Sequence, residues 1–345
     1  MNFFDQRGVI VDLAGGARIL RQHTKEFVLI DQFVQITHDH FVTQWLGTGF
    51  DDADALWMYV GIDQKRIGFF RFRHTLTERH RFRCRGGFIQ QRGVGQIQTG
   101  QVQIGERLLS GHQNENAVFG FDSVPFLAPS FDDSAKLFKA AKPKLDAVLD
   151  EQNLVMLYAV PWPPQGLYFN KEVNSAADME GIKFRSYNNA TARLAELTGM
   201  LPVTIEAAEI SQAFATGVAE SMISSGATGY DRKVWESLSH FYEVDAWLPY
   251  NYVMVNKGVW ADVSDANKTA ITTCAGEAQA RGLQASKDYT QFTMDGLAAG
   301  GMTVGPAGDQ LMGDLRAVGE TMTAEWLEAA GDDGAAIVDG FKSMK

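Results

Sequence analysis

Cysteine is nearly missing from this chain: two occur in 345 residues, Cys84 and Cys274. Two thiols cannot build the bridged framework on which small secreted scaffolds depend, and they say little about redox compartment. No run of 18 apolar residues occurs, so no membrane-spanning helix is expected. A Gly-x-Ser-x-Gly elbow, a phosphate-binding loop and a paired metal-ligand motif are all lacking, so no catalytic residue, cofactor or metal is assigned. His38, Asp39, His40, His74 and His80 have ligand chemistry, but their spacing puts no three of them on one element. Gly93-Val94-Gly95 lacks the third glycine of a dinucleotide loop. An excess of positive charge is missing as well. With a formal net charge of -11, the chain as a whole is not expected to attract nucleic acid or an anionic membrane, and any bound anion must rely on a local basic group.

What is present fits a soluble globular protein, with 45% hydrophobic and 21% charged residues. A chain of 345 residues can bury a large core and is expected to form two domains. Its charge is uneven. Residues 1–94 hold 13 basic against 10 acidic residues, five of the seven histidines and eleven of the 22 phenylalanines, whereas residues 95–345 hold 18 basic against 32 acidic. Such a shift marks a boundary.

Three readings fit the first segment. In "RIGFFRFRH" and "RHRFRCRGG" arginine alternates with phenylalanine, a pattern that could grip single-stranded nucleic acid. The same period of two is what a strand with one apolar and one charged face requires. The third reading, preferred here, takes residues 1–94 as anomalous, the product of a misplaced start or a shifted frame. The start "MNFFDQRGVIVDLAGGARIL" carries Asp5, no basic n-region and no small-residue cleavage site, so no secretory signal is read in it.

From residue 101 the chain alternates strands and helices. "VQIGERLLS" reads as a strand, and residues 134–149 carry apolar positions at helical spacing, with Pro143 expected to bend or break the helix. "LVMLYAV" is a buried strand that stops at Trp162-Pro163-Pro164. "GIKFR" is a short strand ending in Arg185. Asn188 or Asn189 caps the helix that follows to Leu197, and Gly199 stops it. A further helix over about residues 208–216 leads to "VAESMISS", a strand whose end presents Ser224 and Ser225. Later, a helix starts at Ser264 and is expected to break near Gly282, Gly300-Gly301 makes a turn, and an amphipathic helix runs from Gly308 to the end. Alternation of this kind implies an α/β sheet with ligands at the carboxyl ends of strands. At one such end, the planar guanidinium fork of Arg185 can hold a carboxylate bidentately at any working pH.

Residues 157–225, which include "EGIKFRSYNN", and "FYEVDAWLPYNYVMVNKGVW" at 241–260 resemble, in order and spacing, the central segments of the DctP-like solute-binding proteins of TRAP transporters. The resemblance runs from about Gln96 to the C-terminus. It implies a two-domain α/β periplasmic binding protein (type II-like) with a ligand cleft between the domains and a C-terminal helical region. The remainder of domain I is then expected at 95–160, domain II at 161–255 and the helical region, packing on both, at 256–345. The implied work is extracytoplasmic capture of an organic acid and its delivery to the TRAP permease subunits, without cofactor or chemical step. The implied location is periplasmic, although no signal peptide is visible.

Arg185 occupies the place of the arginine that pairs with the ligand carboxylate in that family. Many members have a second arginine about twenty residues earlier, where this chain has Gln165. A neutral amide there favours a singly charged or smaller acid over a dicarboxylate. Ser224 stands where members often have Asn. Trp162 and Trp247 are candidate walls of the pocket, and Tyr187, Asn188, Ser225 and Thr228 are candidate polar lining. Two alternatives remain: a hydrolase using Ser224 or Ser225 with His112 or His240, and a basic amino-terminal module that binds nucleic acid.

Overall fold

The computed structural model describes residues 93–345 and two short strands before them, β1 (Trp57–Tyr59) and β2 (Phe69–Arg71). These two pair antiparallel, so part of the arginine–phenylalanine repeat forms a strand. The five early histidine and aspartate candidates, the amino-terminal signal question and the rest of the repeat lie outside the described residues.

The chain continues through α1 (Val94–Gln98), β3 (Ile104–Leu108), α2 (Phe131–Glu151), β4 (Leu154–Pro161), β5 (Gln165–Phe169), β6 (Lys183–Ser186), α3 (Asn189–Leu197) and β7 (Leu201–Thr204). After these come α4 (Ile210–Ala215), β8 (Ser221–Ser225), α5 (Gly226–Asp231), β9 (His240–Glu243), β10 (Tyr250–Asn256), α6 (Lys257–Asp262), α7 (Asp265–Ala299), β11 (Thr303–Pro306) and α8 (Asp309–Lys342). Two 3-10 turns, Leu109–His112 and Ala117–Ser123, follow β3.

Two sheets organise these elements. A three-stranded antiparallel sheet has the order β3-β10-β4, and a six-stranded mixed sheet has the order β11-β9-β5-β8-β6-β7. The chain crosses from the first to the second through Trp162-Pro163-Pro164 and returns between β9 and β10. Strand β10, all but its last residue within the 161–255 segment, therefore pairs in the first sheet.

Burial on both faces explains why β4 reads as an unbroken apolar run. Ala159 and, on β10, Tyr252 face a core shared with α2, while Tyr158, Val160 and Val253 face α7. Strand β5 behaves alike: Leu167 and Phe169 enter one core and Tyr168 the other. Gly166 on β5 has a specific reason, since a Cβ there would lie 2.3 Å from the Phe241 ring and 2.6 Å from the Tyr242 carbonyl oxygen.

Helix α8 belongs to both cores. Leu311, Leu315 and Met322 pack under the six-stranded sheet, whereas Ile337 and Phe341 pack with α2 under the three-stranded one. Between the two sets, Gly331 adopts φ 55° and ψ -135°, a conformation costly for residues with a Cβ. The single amphipathic helix expected from Gly308 onward is thus interrupted at Gly331.

Neither Pro143, expected to bend or break its helix, nor Gly282, expected to break its own, ends a helix. Pro143 lies inside α2 without ending it. It is exposed, as is Lys139, whose carbonyl loses its usual donor, so the unpaired group is on a face open to water. Gly282 lies inside the 35-residue α7. With Cys274, Ala278 and Ser286 it makes a buried stripe of small residues at four-residue spacing, so packing outweighs the roughly 1 kcal/mol that glycine costs a helix.

Candidate ligand-binding site

The site grows from strand register. Strands β6, β7 and β8 are parallel, so their carboxyl ends share one edge of the sheet. Antiparallel β5 begins at that edge and sets Gln165 opposite Ser225. Arg185, near the end of β6, is 3% exposed. Its Nε donates to the Ile205 carbonyl at 2.9 Å, and its guanidinium carbon lies 5.2 Å from the centre of the Tyr187 ring, within cation–π range.

No carboxylate among the described residues forms an ion pair with Arg185. Burial lowers its pKa to about 10, only partly offset by Tyr187 and Glu206, and the nearby charge of Arg232 lowers it further. The group is still fully cationic at neutral pH. With Nε committed to Ile205, the four N–H groups on its two Nη atoms form a donor edge suited to an oxyanion. Arg232 itself is half-buried, and burial lowers its pKa while the neighbouring Asp231 favours its charged form.

Tyr187 connects Arg185 to two other expected residues. The Trp247 indole donates to Tyr187 Oη at 3.0 Å. Tyr187 Oη donates to Gln165 Oε1 at 3.2 Å, and Gln165 Nε2 donates to the Pro163 carbonyl at 3.0 Å. Gln165 and Trp247 are 3% and 1% exposed. Four of the nine expected site residues, Arg185, Tyr187, Gln165 and Trp247, are thereby gathered into one cluster.

The others are placed differently. Asn188 caps α3, its Oδ1 accepting from the Thr191 amide at 2.9 Å, and its Nδ2 donates to Ser110 Oγ at 2.9 Å. Its amide therefore ties α3 to the turn after β3. Asn188→Ala removes both interactions and is expected to cost about 1–2 kcal/mol of stability, read as a lower midpoint in chemical unfolding; an unchanged midpoint would contradict the tie. Ser225 caps α5, accepting from the Thr228 amide at 3.4 Å, and its carbonyl accepts from Tyr168 Oη at 2.8 Å. Ser224 is buried on β8 opposite Gly166. Half-buried Trp162 donates to Asn251 Oδ1 at 2.8 Å, and Asn251 donates in turn to Glu106 Oε1. As for the hydrolase alternative, His112 bonds Glu115 and His240 bonds Ser239, rather than Ser224 or Ser225.

Two acids were missed by sequence reasoning, half-buried Glu106 on β3 and buried Asp122. Burial pushes Glu106 up to about 7. It does the same to Asp122, whose Oδ2 accepts from the Tyr250 amide at 2.9 Å and Tyr252 Oη at 3.0 Å, while Oδ1 accepts from Ser123 Oγ at 3.3 Å. The available signal was an acid set in apolar text, "QIGER" and "VFGFDSVPF". No group of three or more residues able to hold a metal ion is found among the described residues.

Comparison with known proteins adds the context. The family model DctP, described as bacterial extracellular solute-binding protein, family 7, matches residues 88–329. Among solved structures, a TRAP solute-binding protein from a marine metagenome, described as specific for pyroglutamate, is 53% identical with a TM-score of 0.72, covering 73% of this chain and 83% of its own. DctP6 and DctP7 of Bordetella pertussis, extracytoplasmic solute receptors described as binding pyroglutamic acid, are each 40% identical with a TM-score of 0.71, covering 72% of this chain and 83% of theirs. Among curated proteins none matches.

Proposed function

The chain belongs to the DctP family, the bacterial extracellular solute-binding proteins of family 7, and we propose that its ligand is a lactam monocarboxylic acid of the pyroglutamate kind, with Arg185 holding the carboxylate. Its general work is that of a TRAP solute-binding protein for an organic acid. No helix among the described residues is long and apolar enough to cross a membrane. Periplasmic location, delivery to the TRAP permease subunits and the absence of a chemical step complete the proposal.

The observation that carries it is the buried guanidinium of Arg185, which no carboxylate among the described residues pairs with. A cation taken out of water without a counter-ion is unfavourable, and an incoming carboxylate supplies the missing charge together with two parallel hydrogen bonds. Gln165, the neutral neighbour, adds donors without adding charge, which suits one carboxylate rather than two. The three relatives described above bind pyroglutamate, an acid of that kind. In this reading residues 95–160 with β10 form one domain and the six-stranded sheet the other. The crossings at 162–164 and 244–249 act as hinges, and closure excludes water from the ion pair.

Calorimetric titration of the full chain tests the reading. Pyroglutamate is expected to bind one to one, and 2-pyrrolidinone, which lacks the carboxylate, to give no measurable heat. Binding of a dicarboxylate with none of pyroglutamate would overturn it.

A further inference from the structure

The hydrogen bonds around Gln165 have a fixed direction. An indole N–H can only donate, so Tyr187 Oη accepts from Trp247 and must spend its single proton on its other neighbour. That neighbour is Gln165 Oε1. At the far end of the amide, the Pro163 carbonyl can only accept, so it faces Nε2. Both ends therefore impose the same orientation on the carboxamide, and its burial keeps water from competing for it. Among the described residues, one N–H and one carbonyl lone pair of Gln165 stay uncommitted. Tyr187, by contrast, has no proton left for a ligand.

We propose that Gln165 is the specificity-determining residue of the site: its oriented carboxamide pairs with the ring amide of a lactam acid while Arg185 holds the carboxylate, and Tyr187 and Trp247 are positioning residues that fix the amide. This rests on the ligand reading given under Proposed function. A lactam presents one N–H and one C=O held cis by the ring, which is the complement of the donor and acceptor that Gln165 leaves free. Tyr187 also carries the Arg185 guanidinium over its ring, so one side chain sets the distance between the group that reads charge and the group that reads the amide. A ring of the same size without the amide would leave both Gln165 groups buried and unpaired, the circumstance in which sites reject close analogues most strongly.

The test compares pyroglutamate with cyclopentanecarboxylate, a five-membered ring acid without the amide, by calorimetry on the full chain and its variants. The unmodified chain is expected to prefer pyroglutamate by about 100-fold or more. In Gln165→Met, which keeps length and removes the amide, that ratio is expected to fall below about tenfold. Tyr187→Phe keeps the Gln165 amide but releases its carbonyl oxygen, and the ratio is expected to fall several-fold even if the methionine variant folds poorly. Unchanged ratios in both variants would overturn the inference, as would an unmodified chain that binds the two acids equally, which would leave the role of Arg185 standing. A chain that binds neither acid would overturn the ligand reading and this inference with it.

Discussion

Arg185→Met is expected to weaken binding of pyroglutamate by about two to three powers of ten while leaving the unliganded chain at least as stable as before. Both halves follow from one feature, a buried cation with no acid partner among the described residues. Breaking a buried, hydrogen-bonded charge pair by removing one partner costs about 2–5 kcal/mol, and tenfold in affinity is about 1.4 kcal/mol. The stability half follows from the lowered pKa: the native state disfavours the charged form of Arg185, so at every pH below about 10 that charge subtracts from stability. Methionine keeps most of the volume and removes the charge. The Ile205 carbonyl loses a donor in exchange, which costs about 1 kcal/mol and sets a limit on the gain. Calorimetry for the ligand and chemical unfolding without it give the two numbers. Loss of stability together with affinity would mean that Arg185 is a packing residue.

The second large effect concerns Asp122, and its direction is unusual for an acid. Its native pKa of about 7 lies above the ordinary aspartate value. Below about pH 4 the carboxyl is protonated in both native and unfolded chains and contributes nothing. Between about pH 4 and pH 7 the unfolded chain releases the proton and the native chain keeps it, so stability from this group falls as pH rises, by up to about 1.4 kcal/mol per unit. Above pH 7 the loss is complete, at a few kcal/mol. Asn at this position can accept from the Tyr250 amide and Tyr252 Oη with its oxygen and donate to Ser123 Oγ with its nitrogen, so it keeps the geometry without the titration. Asp122→Asn is therefore expected to exceed the unmodified chain in stability by a few kcal/mol at pH 8 and to match it at pH 4. Unfolding by urea at the two pH values measures this. A difference of the same size at both would assign the effect to packing rather than to the proton. Glu106 is raised in the same way and adds the same slope to both proteins, so it cancels in the comparison.

Local signals were legible where a single element decides the outcome. The cap at Asn188, the stop at Gly199, the buried run of β4 and the position of Arg185 at a strand end all follow from residues within a few places of one another, and the family resemblance rests on the same segments. Long-range pairing was not legible. Trp247 meets Tyr187 across 60 residues, and Tyr187 meets Gln165 across 22; these contacts are set by sheet register, which a linear pattern does not encode. Asn188 was expected to line the pocket, yet its amide is used in capping α3 and bonding Ser110, because an asparagine before a helix is bound first by its own backbone. Pro143 and Gly282 misled for the opposite reason: their local cost is about 1–3 kcal/mol, and helices as long as α2 and α7 recover it through tertiary burial.

Arg185 as the group that reads the carboxylate is the centre of the account, and a double-mutant cycle tests it most directly. Pyroglutamate and its neutral amide, in which the carboxylate becomes a carboxamide, are titrated into the unmodified chain and into Arg185→Met. A preference for the acid of about 100-fold or more is expected in the unmodified chain, reduced to within about tenfold in the variant. A preference for the acid that survives intact without Arg185 would contradict it.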